Sequence, residues 1–339
     1  DTRLRIAVLS EMPGAWRRTV ERWYALNERF ASALPGGRAP SRHEEYLFYQ
    51  TLVGTWPIGG LPSAPDYVAR ISGYMEKALK EAKQHTSWIS PNEAHDQAVK
   101  AFVAAALDPA RNADFLTDLE RFVRKPQWAG YWNGLVQTLL KVTSPGVPDI
   151  YQGTEFWDLS LVDPDNRRLV DYGQRRRALA SLNKRFEASP TQAVVRLVRR
   201  PHDGHVKLWV LHRALALRKR LPQVFTRGLY VPLAVSGARA DQVIAFARVV
   251  EGKAVLTVVG RFWTRFGANF RQPLGSAWGN TVLTFPPNGS PRPWRNILTN
   301  ETLTVSSEGT LPLSQVLASL PVALLESDGD TQNIREEAR

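Results

Sequence analysis

Residues 144–168 read SPGVPDIYQGTEFWDLSLVDPDNRR, and this segment combines a strand pattern with a dense polar cluster. The first half is a short apolar run ending at Gly153, which is typical of a strand that opens into a loop. The second half gathers carboxylates and arginines around Pro164 and is too polar to form a core. Such loops carry function when a rigid scaffold presents them. The segment therefore predicts a buried strand followed by the rim of a polar binding site.

The same segment resembles the end of the catalytic barrel in the maltooligosyl trehalose synthases, within the α-amylase family of glycoside hydrolases and transglycosylases. The Pro-Gly-Val-Pro-x-x-Tyr-x-Gly-x-Glu pattern of residues 145–155 is similar to the eighth barrel strand and its loop throughout that family. The Asp-Pro-Asp-Asn-Arg-Arg pattern of residues 163–168 is narrower and carries the subfamily assignment. Further similar stretches lie at 49–57, 85–93 and 207–218. The resemblance extends over about residues 1–265.

The resemblance implies a set of sugar-binding residues. Active sites of eight-stranded α/β barrels lie at the C-terminal ends of the strands, so the loop after the eighth strand is expected at the barrel mouth. The residues expected to bind substrate are Tyr151, Gln152, Glu155, Trp157, Asp163, Asp165, Arg167, Arg168, His85 and Trp88.

Three groups in this set have a structural alternative. The cluster at 163–168 could be an Asp-Arg network that only braces its loop, and Glu155 could equally pair with an arginine. For His85 and Trp88 the alternative is local helix capping. Ser90 precedes Pro91, which suits a capping serine before a proline at the first helical position.

The residues that would perform the chemistry are not recognised in this sequence. The resemblance implies a nucleophilic Asp, an acid/base Glu and a third carboxylate in a His-Asp pair, all expected upstream of Asp1. The opening DTRLRIAVLS is similar to the segment just after that pair. We therefore expect the C-terminal half of an enzyme, inactive alone, whose partners are the N-terminal half of the same polypeptide and a maltooligosaccharide. No cofactor is expected.

The activity that the resemblance implies is intramolecular transglucosylation. A retaining enzyme forms a covalent glycosyl intermediate, which an acceptor then captures. Here the acceptor would be the released terminal glucose, so that the terminal α-1,4 bond of a maltooligosaccharide becomes the α,α-1,1 bond of maltooligosyl trehalose. Two alternatives stay open. An amylase-type α-glucan hydrolase would share residues 145–155, and a noncatalytic carbohydrate-binding fragment would use the later part of the chain alone.

The predicted secondary structure changes from helices to strands along the chain. Helical patterns dominate the first two thirds, with helices predicted at Tyr67 to Lys83 and His95 to Leu107. After Pro222, short runs of Val, Leu, Phe and Thr separated by Gly, Asn and Pro predict antiparallel strands. With the resemblance, this predicts an α/β fold in which residues 1–224 form the C-terminal portion of a TIM (β/α)8 barrel. A helical insertion is expected at about 36–130, and an antiparallel β domain at 225–339.

Composition limits the other possibilities. With 339 residues, 43% hydrophobic and 22% charged, the chain is large enough for two globular domains. Because the sequence has no cysteine, disulfides are excluded and a cytoplasmic location fits. No apolar run approaches the roughly 18–20 residues of a membrane helix, so a membrane partner is not expected.

The net charge and two histidines bear on two other kinds of site, one for nucleic acid and one for a metal ion, and neither is favoured. A net charge of +12 invites a nucleic-acid interpretation, but the basic runs, such as 175–177 and 218–220, are short and lack interleaved aromatics. Solvated helix faces are favoured, and no nucleic-acid partner is expected. His202 and His205 flank an Asp-Gly turn, which favours an exposed loop over a metal site.

Overall fold

The computed structural model describes residues 1–267, 272–285 and 292–327, and these form two compact units. Unit 1 comprises Asp1–Gly130 and Asp158–Leu169, and unit 2 comprises Tyr131–Trp157 and Val170–Arg339. The last twelve residues of the predicted C-terminal domain, 328–339, lie outside the described residues. The domain boundary predicted at residue 224 stays a prediction.

Unit 1 is mainly helical. Its helices are α1 (Thr2–Ala7), α2 (Pro13–Asn27), α3 (Arg42–Thr55), α4 (Tyr67–Ala82), α5 (Glu93–Ala106) and the first part of α6 (Ala113–Thr143). A short antiparallel hairpin, β1 (Ser32–Leu34) with β2 (Gly37–Ala39), precedes α3. The helix predicted at Tyr67 to Lys83 is present, and Lys83 ends it in the left-handed conformation. The helix predicted at His95 to Leu107 is also present and begins two residues earlier.

Local sequence features explain how helices α3 and α4 of unit 1 begin and pack. Ser41 and Glu44 form a capping box at the start of α3, because each side chain accepts a hydrogen bond from the other residue's backbone N–H. Helix α4 buries one stripe at four-residue spacing, namely Tyr67, Ile71, Met75 and Leu79. This stripe packs into a core that includes the buried Trp23 ring. One face of α4 is therefore committed to the core, and its other faces are left for polar contacts.

Unit 2 combines helices with antiparallel sheets. Its helices are the remainder of α6, then α7 (Tyr172–Ala188), α8 (Pro190–Arg199), α9 (His205–Arg220), α10 (Pro222–Arg227) and α11 (Leu313–Val316). Its strands are β3 (Leu229–Pro232), β4 (Ala234–Ser236), β5 (Val243–Val250), β6 (Lys253–Gly260), β7 (Val282–Thr284), β8 (Arg292–Asn296), β9 (Thr302–Val305), β10 (Thr310–Pro312) and β11 (Val322–Ser327).

In the parts of unit 2 that the structure describes, the strands form two sheets. One has the order β3-β5-β6-β11-β8-β9 and the other the order β10-β7-β4. All strand pairs found in the described parts of the chain are antiparallel. In the β5–β6 hairpin, Val250 pairs with Lys253, and the two turn residues Glu251 and Gly252 both have positive φ, as a two-residue hairpin turn demands. The antiparallel strands predicted after Pro222 are thus confirmed.

The strand predicted to end at Gly153 is not formed. The fully described segment 144–157 contains no strand, and the Val147 side chain is 93% exposed instead of buried. Two features of the local sequence oppose a strand here. Pro145 and Pro148 have no N–H to donate to a ladder, and Gln152 is turned into a positive φ of 52°. No neighbouring parallel strand is present in the described residues to outweigh these preferences, so the barrel stays a proposal.

None of the helices within the described ranges is both long and apolar enough to cross a membrane.

Candidate functional site

A cavity of about 480 Å³ lies in unit 1 between helix α4 and the loop of residues 162–168. We call it the α4–loop pocket. Its lining residues are Asp66, Ala69, Arg70, Gly73, Tyr74 and Lys77 on the helix side and Val162, Asp163, Pro164, Asp165, Arg167 and Arg168 on the loop side. The structure therefore brings together four of the residues predicted to bind substrate.

Asp165 is held by a two-pronged ion pair with Arg70. The Arg70 Nε and Nη2 atoms lie 2.8 and 2.9 Å from the two carboxylate oxygens, and the Leu161 backbone N–H donates to Oδ2 at 2.7 Å. Both side chains are well buried, with 14% of Arg70 and 12% of Asp165 exposed. Paired N–H donors of this kind make a strong and geometrically specific contact with a carboxylate.

The same contacts control the protonation of Asp165. Burial raises its pKa, but the hydrogen bonds from Arg70 and Leu161 outweigh burial, so the pKa of this carboxyl lies below its ordinary value. The carboxylate in turn raises the pKa of Arg70. Asp165 is therefore an ionised anchor near neutral pH, and it is poorly suited to donate a proton.

Helix α4 also grips the loop through its backbone. The Lys77 ammonium donates to the Asp163 carbonyl at 2.6 Å, and Arg70 Nη2 donates to the Leu159 carbonyl at 3.3 Å. These bonds tie two turns of one helix to the loop and to the segment just before it. The loop is thus ordered by charged side chains that come from a distant part of the chain.

The two loop arginines are more exposed. Arg167 pairs with the Asp163 carboxylate, and 72% of its side chain is exposed. Arg168 Nη2 donates to Ser160 Oγ at 2.7 Å, and 51% of its side chain is exposed. Each guanidinium has five N–H donors, so both retain donors beyond these contacts. Such donors could hydrogen-bond a hydroxyl-rich ligand.

Among the described residues, the Tyr74 hydroxyl in the pocket wall and the Asn166 side-chain oxygen in the loop have no hydrogen-bond partner. The half-buried Tyr74 side chain packs against the core of unit 1, yet its hydroxyl makes no hydrogen bond within the described ranges. In the loop, the Asn166 Oδ1 atom is buried and finds no hydrogen-bond partner among those same residues. Buried polar groups are usually paired, so Asn166 Oδ1 is an unsatisfied position inside the loop, but Asn166 does not line the pocket. Tyr74 does line the pocket, and its hydroxyl is the candidate for contact with a ligand.

His85 and Trp88 lie elsewhere in unit 1 and do not line the pocket. The exposed His85 ring stacks on His95 with 4.8 Å between ring centroids, and His95 Nε2 lies 3.0 Å from Glu44 Oε1. Trp88 is 59% exposed, with the Lys80 ammonium 4.7 Å from its ring centroid. Their contact with sugar stays a prediction.

The capping serine predicted at Ser90 is wrong. Helix α5 begins at Glu93, and the cap is Asn92, whose side chain accepts from the His95 N–H at 3.2 Å. The backbone N–H of Ser90 is instead bound by Ser87 Oγ at 2.9 Å. Asn92 wins because asparagine is at least as good a cap as serine and stands directly before the helix.

The remaining predicted residues belong to unit 2. Glu155 forms an ion pair with Arg175 at 2.9 Å, the structural alternative considered for this carboxylate. Trp157 Nε1 donates to the Pro201 carbonyl at 2.6 Å, and Tyr151 and Gln152 are exposed. The backbone carbonyl of Gly153 also accepts from Arg175, at 2.5 Å. Arginine therefore organises this turn, and the sugar-binding role of its residues stays a prediction.

Sequence reasoning missed the helix wall of the pocket. Arg70, Tyr74 and Lys77 stand at i, i+4 and i+7 on a helix that was itself predicted, so they share one face. That polar and aromatic stripe was a usable signal. Nothing in the local sequence, however, identifies the loop that the stripe faces.

Within the described ranges, no group of three or more His, Cys, Asp or Glu side chains is arranged to hold a metal ion. His205 is the first residue of α9, where its Nδ1 lies 3.3 Å from Asp203 Oδ2.

The chain is similar in sequence to maltooligosyl trehalose synthases. It is 36% identical over 328 residues to a Mycobacterium tuberculosis (strain H37Rv) protein provisionally assigned as one, covering 97% of this chain and 36% of that relative. The same figures apply to the relative from strain CDC 1551. No protein-family model matches the chain. The chain thus spans about a third of the length of these relatives.

The fold gives the same result. The structure of maltooligosyltrehalose synthase from Arthrobacter ramosus matches with a TM-score of 0.71 and 34% identity, covering 96% of this chain and 36% of that one. A second maltooligosyl trehalose synthase crystal structure matches with a TM-score of 0.69 and 26% identity, covering 96% and 38%. The resemblance predicted from residues 144–168 is confirmed.

Proposed function

We propose that this chain is part of an enzyme that converts maltooligosaccharides to maltooligosyl trehalose by intramolecular transglucosylation. The observation that carries the proposal is the 36% identity, over 97% of the chain, to proteins assigned to that activity. The narrow motif at residues 163–168 resembles the same subfamily, and five of its six residues line a defined pocket. The chain spans about a third of those relatives, so the activity is proposed for the longer polypeptide.

The reaction exchanges one glycosidic bond for another. An enzyme carboxylate attacks the anomeric carbon of the penultimate glucosyl unit, and a second carboxyl group protonates the leaving oxygen of the terminal glucose. The released glucose then attacks the covalent intermediate through its own anomeric hydroxyl. This forms the α,α-1,1 bond and returns the proton to the enzyme. We expect both carboxyl groups outside this chain.

The role left to this chain is to retain glucose and keep water away. Water that reaches the intermediate diverts it to hydrolysis, so the partition between the two products depends on how firmly the acceptor is held. We propose that the α4–loop pocket holds the acceptor glucose through Arg167, Arg168 and the Asp163 carboxylate, while Asp165 keeps the loop in place. The cavity volume of about 480 Å³ supports this, since small-molecule sites occupy roughly 300–1,000 Å³.

The remaining predicted contacts belong to the same proposal. In the complete enzyme, Tyr151, Gln152, Glu155 and Trp157 would lie at the mouth of the barrel. His85 and Trp88 would add a rim contact, which the exposed Trp88 ring supports because carbohydrate faces pack on aromatic rings.

The same proposal includes the domain architecture of the longer polypeptide. Residues 1–224 would complete a (β/α)8 barrel, with an insertion at about 36–130, and residues 225–339 would form the following β domain. The parallel strands that segment 145–153 needs as neighbours would come from the rest of the polypeptide. A cytoplasmic enzyme fits the absence of cysteine in the sequence.

The test uses the complete polypeptide and maltohexaose. We expect the reducing end to disappear without loss of chain length, and an α,α-1,1 linkage to appear in the anomeric region of the proton NMR spectrum. Release of glucose and shorter maltooligosaccharides as the main products would reject transglucosylation in favour of the α-glucan hydrolase. Binding of the glucan without any product would favour the noncatalytic alternative.

A variant tests the role of the pocket. In the complete polypeptide, Arg168→Ala should increase glucose release relative to maltooligosyl trehalose, because the acceptor escapes more often. The matched control is Arg176→Ala, which removes an exposed arginine of α7 outside the pocket. An unchanged product ratio in Arg168→Ala would contradict acceptor holding by this arginine.

A further inference from the structure

Most hydrogen-bond acceptor positions of the Asp165 carboxylate are already occupied by donors from the protein itself. A carboxylate offers about four acceptor positions, and three of them receive N–H groups from Arg70 and Leu161. With only 12% of the side chain exposed, little is left for a ligand. The Asp165 carboxylate is therefore unavailable to bind a sugar hydroxyl.

Unlike the Asp165 carboxylate, the Tyr74 hydroxyl is not occupied by hydrogen bonds from the described residues. Tyr74 lines the same pocket from helix α4, and its side chain packs against the hydrophobic core of unit 1. Packing restricts the ring, so the phenolic oxygen has a limited range of positions. That hydroxyl can donate one hydrogen bond and accept others, and it makes none with the described residues.

Lys77 adds a second donor one helical turn further along. One of its three N–H groups is bound to the Asp163 carbonyl, the ammonium lies 4.0 Å from Glu81 Oε1, and 26% of the side chain is exposed. The remaining N–H groups can turn toward the pocket that Lys77 lines. A hydroxyl and an ammonium group that line one pocket from successive turns of a helix suit a ligand with several hydroxyls, each able to donate and accept.

We propose that Tyr74 is a specificity-determining residue that hydrogen-bonds a pyranose hydroxyl in the α4–loop pocket, with Lys77 as the second donor. Arg70 and Asp165 are positioning residues that hold the loop and do not touch the ligand. The ligand class rests on the proposed function, whereas the division of roles rests on the hydrogen bonds of the pocket.

The test is titration of the chain of residues 1–339 with maltose, followed by amide chemical shifts. Tyr74→Phe removes only the hydroxyl, so the Kd for maltose should rise about three- to ten-fold, the loss expected for one neutral hydrogen bond, with an unchanged melting temperature. Tyr172→Phe is the matched control, because Tyr172 is 55% exposed and lies outside the pocket. Its Kd should equal that of the unaltered chain.

The positioning residues give a different signature. Arg70→Met should lower the melting temperature as well as maltose affinity, because it frees the loop and leaves Asp165 unpaired. Tyr74→Phe should not move the melting temperature. Equal maltose affinity in Tyr74→Phe and the unaltered chain would overturn the proposal, as would absence of maltose binding by the unaltered chain.

The two proposals fail separately. If the complete polypeptide makes maltooligosyl trehalose while Tyr74→Phe leaves maltose affinity unchanged, the assignment of Tyr74 is wrong and the proposed function stands. If the maltose Kd depends on Tyr74 while the complete polypeptide forms no α,α-1,1 product, the binding site stands and the proposed function is wrong.

Discussion

Asp163 and Asp165 show how two carboxylates in one loop acquire different energetic roles. The Asp165 side chain is 12% exposed and accepts from Arg70 and a backbone amide, whereas 48% of the Asp163 side chain is exposed and its partner Arg167 is more exposed still. An ion pair in water contributes little, but removing one member of a buried pair leaves the other unsatisfied. Stability should therefore depend on Asp165 much more than on Asp163.

This difference gives the first prediction. Asp165→Asn should reduce the free energy of unfolding by about 1.5–3 kcal/mol, the range for hydrogen bonds to charged groups. Asp163→Asn is the matched control and should cost less than about 1 kcal/mol. Urea unfolding of both variants at neutral pH measures the two values. Equal losses in the two variants would contradict the structural distinction.

The lowered pKa of Asp165 gives the second prediction, on pH dependence. Its pKa in the folded chain lies below the value of about 3.9 expected when unfolded. Its stabilising effect is therefore fully present above pH ~4 and is lost as the pH falls through the folded pKa. The difference in unfolding free energy between the unaltered chain and Asp165→Asn should shrink from pH 6 to pH 3. A difference that is constant over this interval would argue against ionisation of Asp165 as its source.

At the scale of elements, the start of helix α5 depends on one side chain. Asn92 caps the helix by accepting from the His95 N–H, and Thr86 Oγ1 accepts the Asn92 N–H at 3.0 Å. The backbone N–H and carbonyl of the nearby Ser90 both bind Ser87. Two residues of similar capping ability thus stand two positions apart, and only one of them caps.

The third prediction compares these two residues. Asn92→Ala should reduce the free energy of unfolding by about 1 kcal/mol, because it leaves an N–H group at the helix N-terminus without its acceptor. Ser90→Ala should change it by less than about 0.5 kcal/mol, as is usual for an exposed substitution away from such contacts. Thermal or urea unfolding of the two variants checks the order. The reverse order would restore Ser90 as the cap.

At the scale of the whole molecule, the two loop carboxylates of the α4–loop pocket, Asp163 and Asp165, are both engaged by arginines. A retaining glycosidase needs two carboxyl groups about 5–5.5 Å apart, one of them protonated before reaction. Asp165 has a lowered pKa and is ionised near neutral pH. Asp163 is ion-paired with Arg167. We therefore expect neither of these two carboxylates to act as the acid of a retaining glycosidase.

The fourth prediction follows from this arrangement. Incubation of residues 1–339 alone with maltohexaose should release no glucose and should leave the number of reducing ends unchanged. High-performance liquid chromatography and a reducing-sugar assay measure both quantities. The control is the complete polypeptide under the same conditions. Turnover by the shorter chain would place a working acid and nucleophile within it.

Local sequence by itself determined most elements of this protein. The four-residue spacing of the α4 stripe, the capping box at Ser41 and the turn chemistry at Glu251 and Gly252 each act over a few residues. Such features can be predicted because neighbours along the chain satisfy them. The polar character of residues 163–168 was equally visible, since no core could accommodate so many charges.

Only the tertiary structure decided which partner each charge takes. Arg70 lies 95 residues before Asp165 in the sequence, and no local pattern connects them. The arginines available to Asp165 were numerous, and packing selected the one whose two N–H groups could reach both oxygens in a buried place. In segment 144–157, by contrast, the tertiary structure does not supply the partners that the local sequence would need. The apolar pattern of this segment suits a strand, but a strand exists only where neighbouring backbone satisfies its hydrogen bonds, and the described residues supply none there.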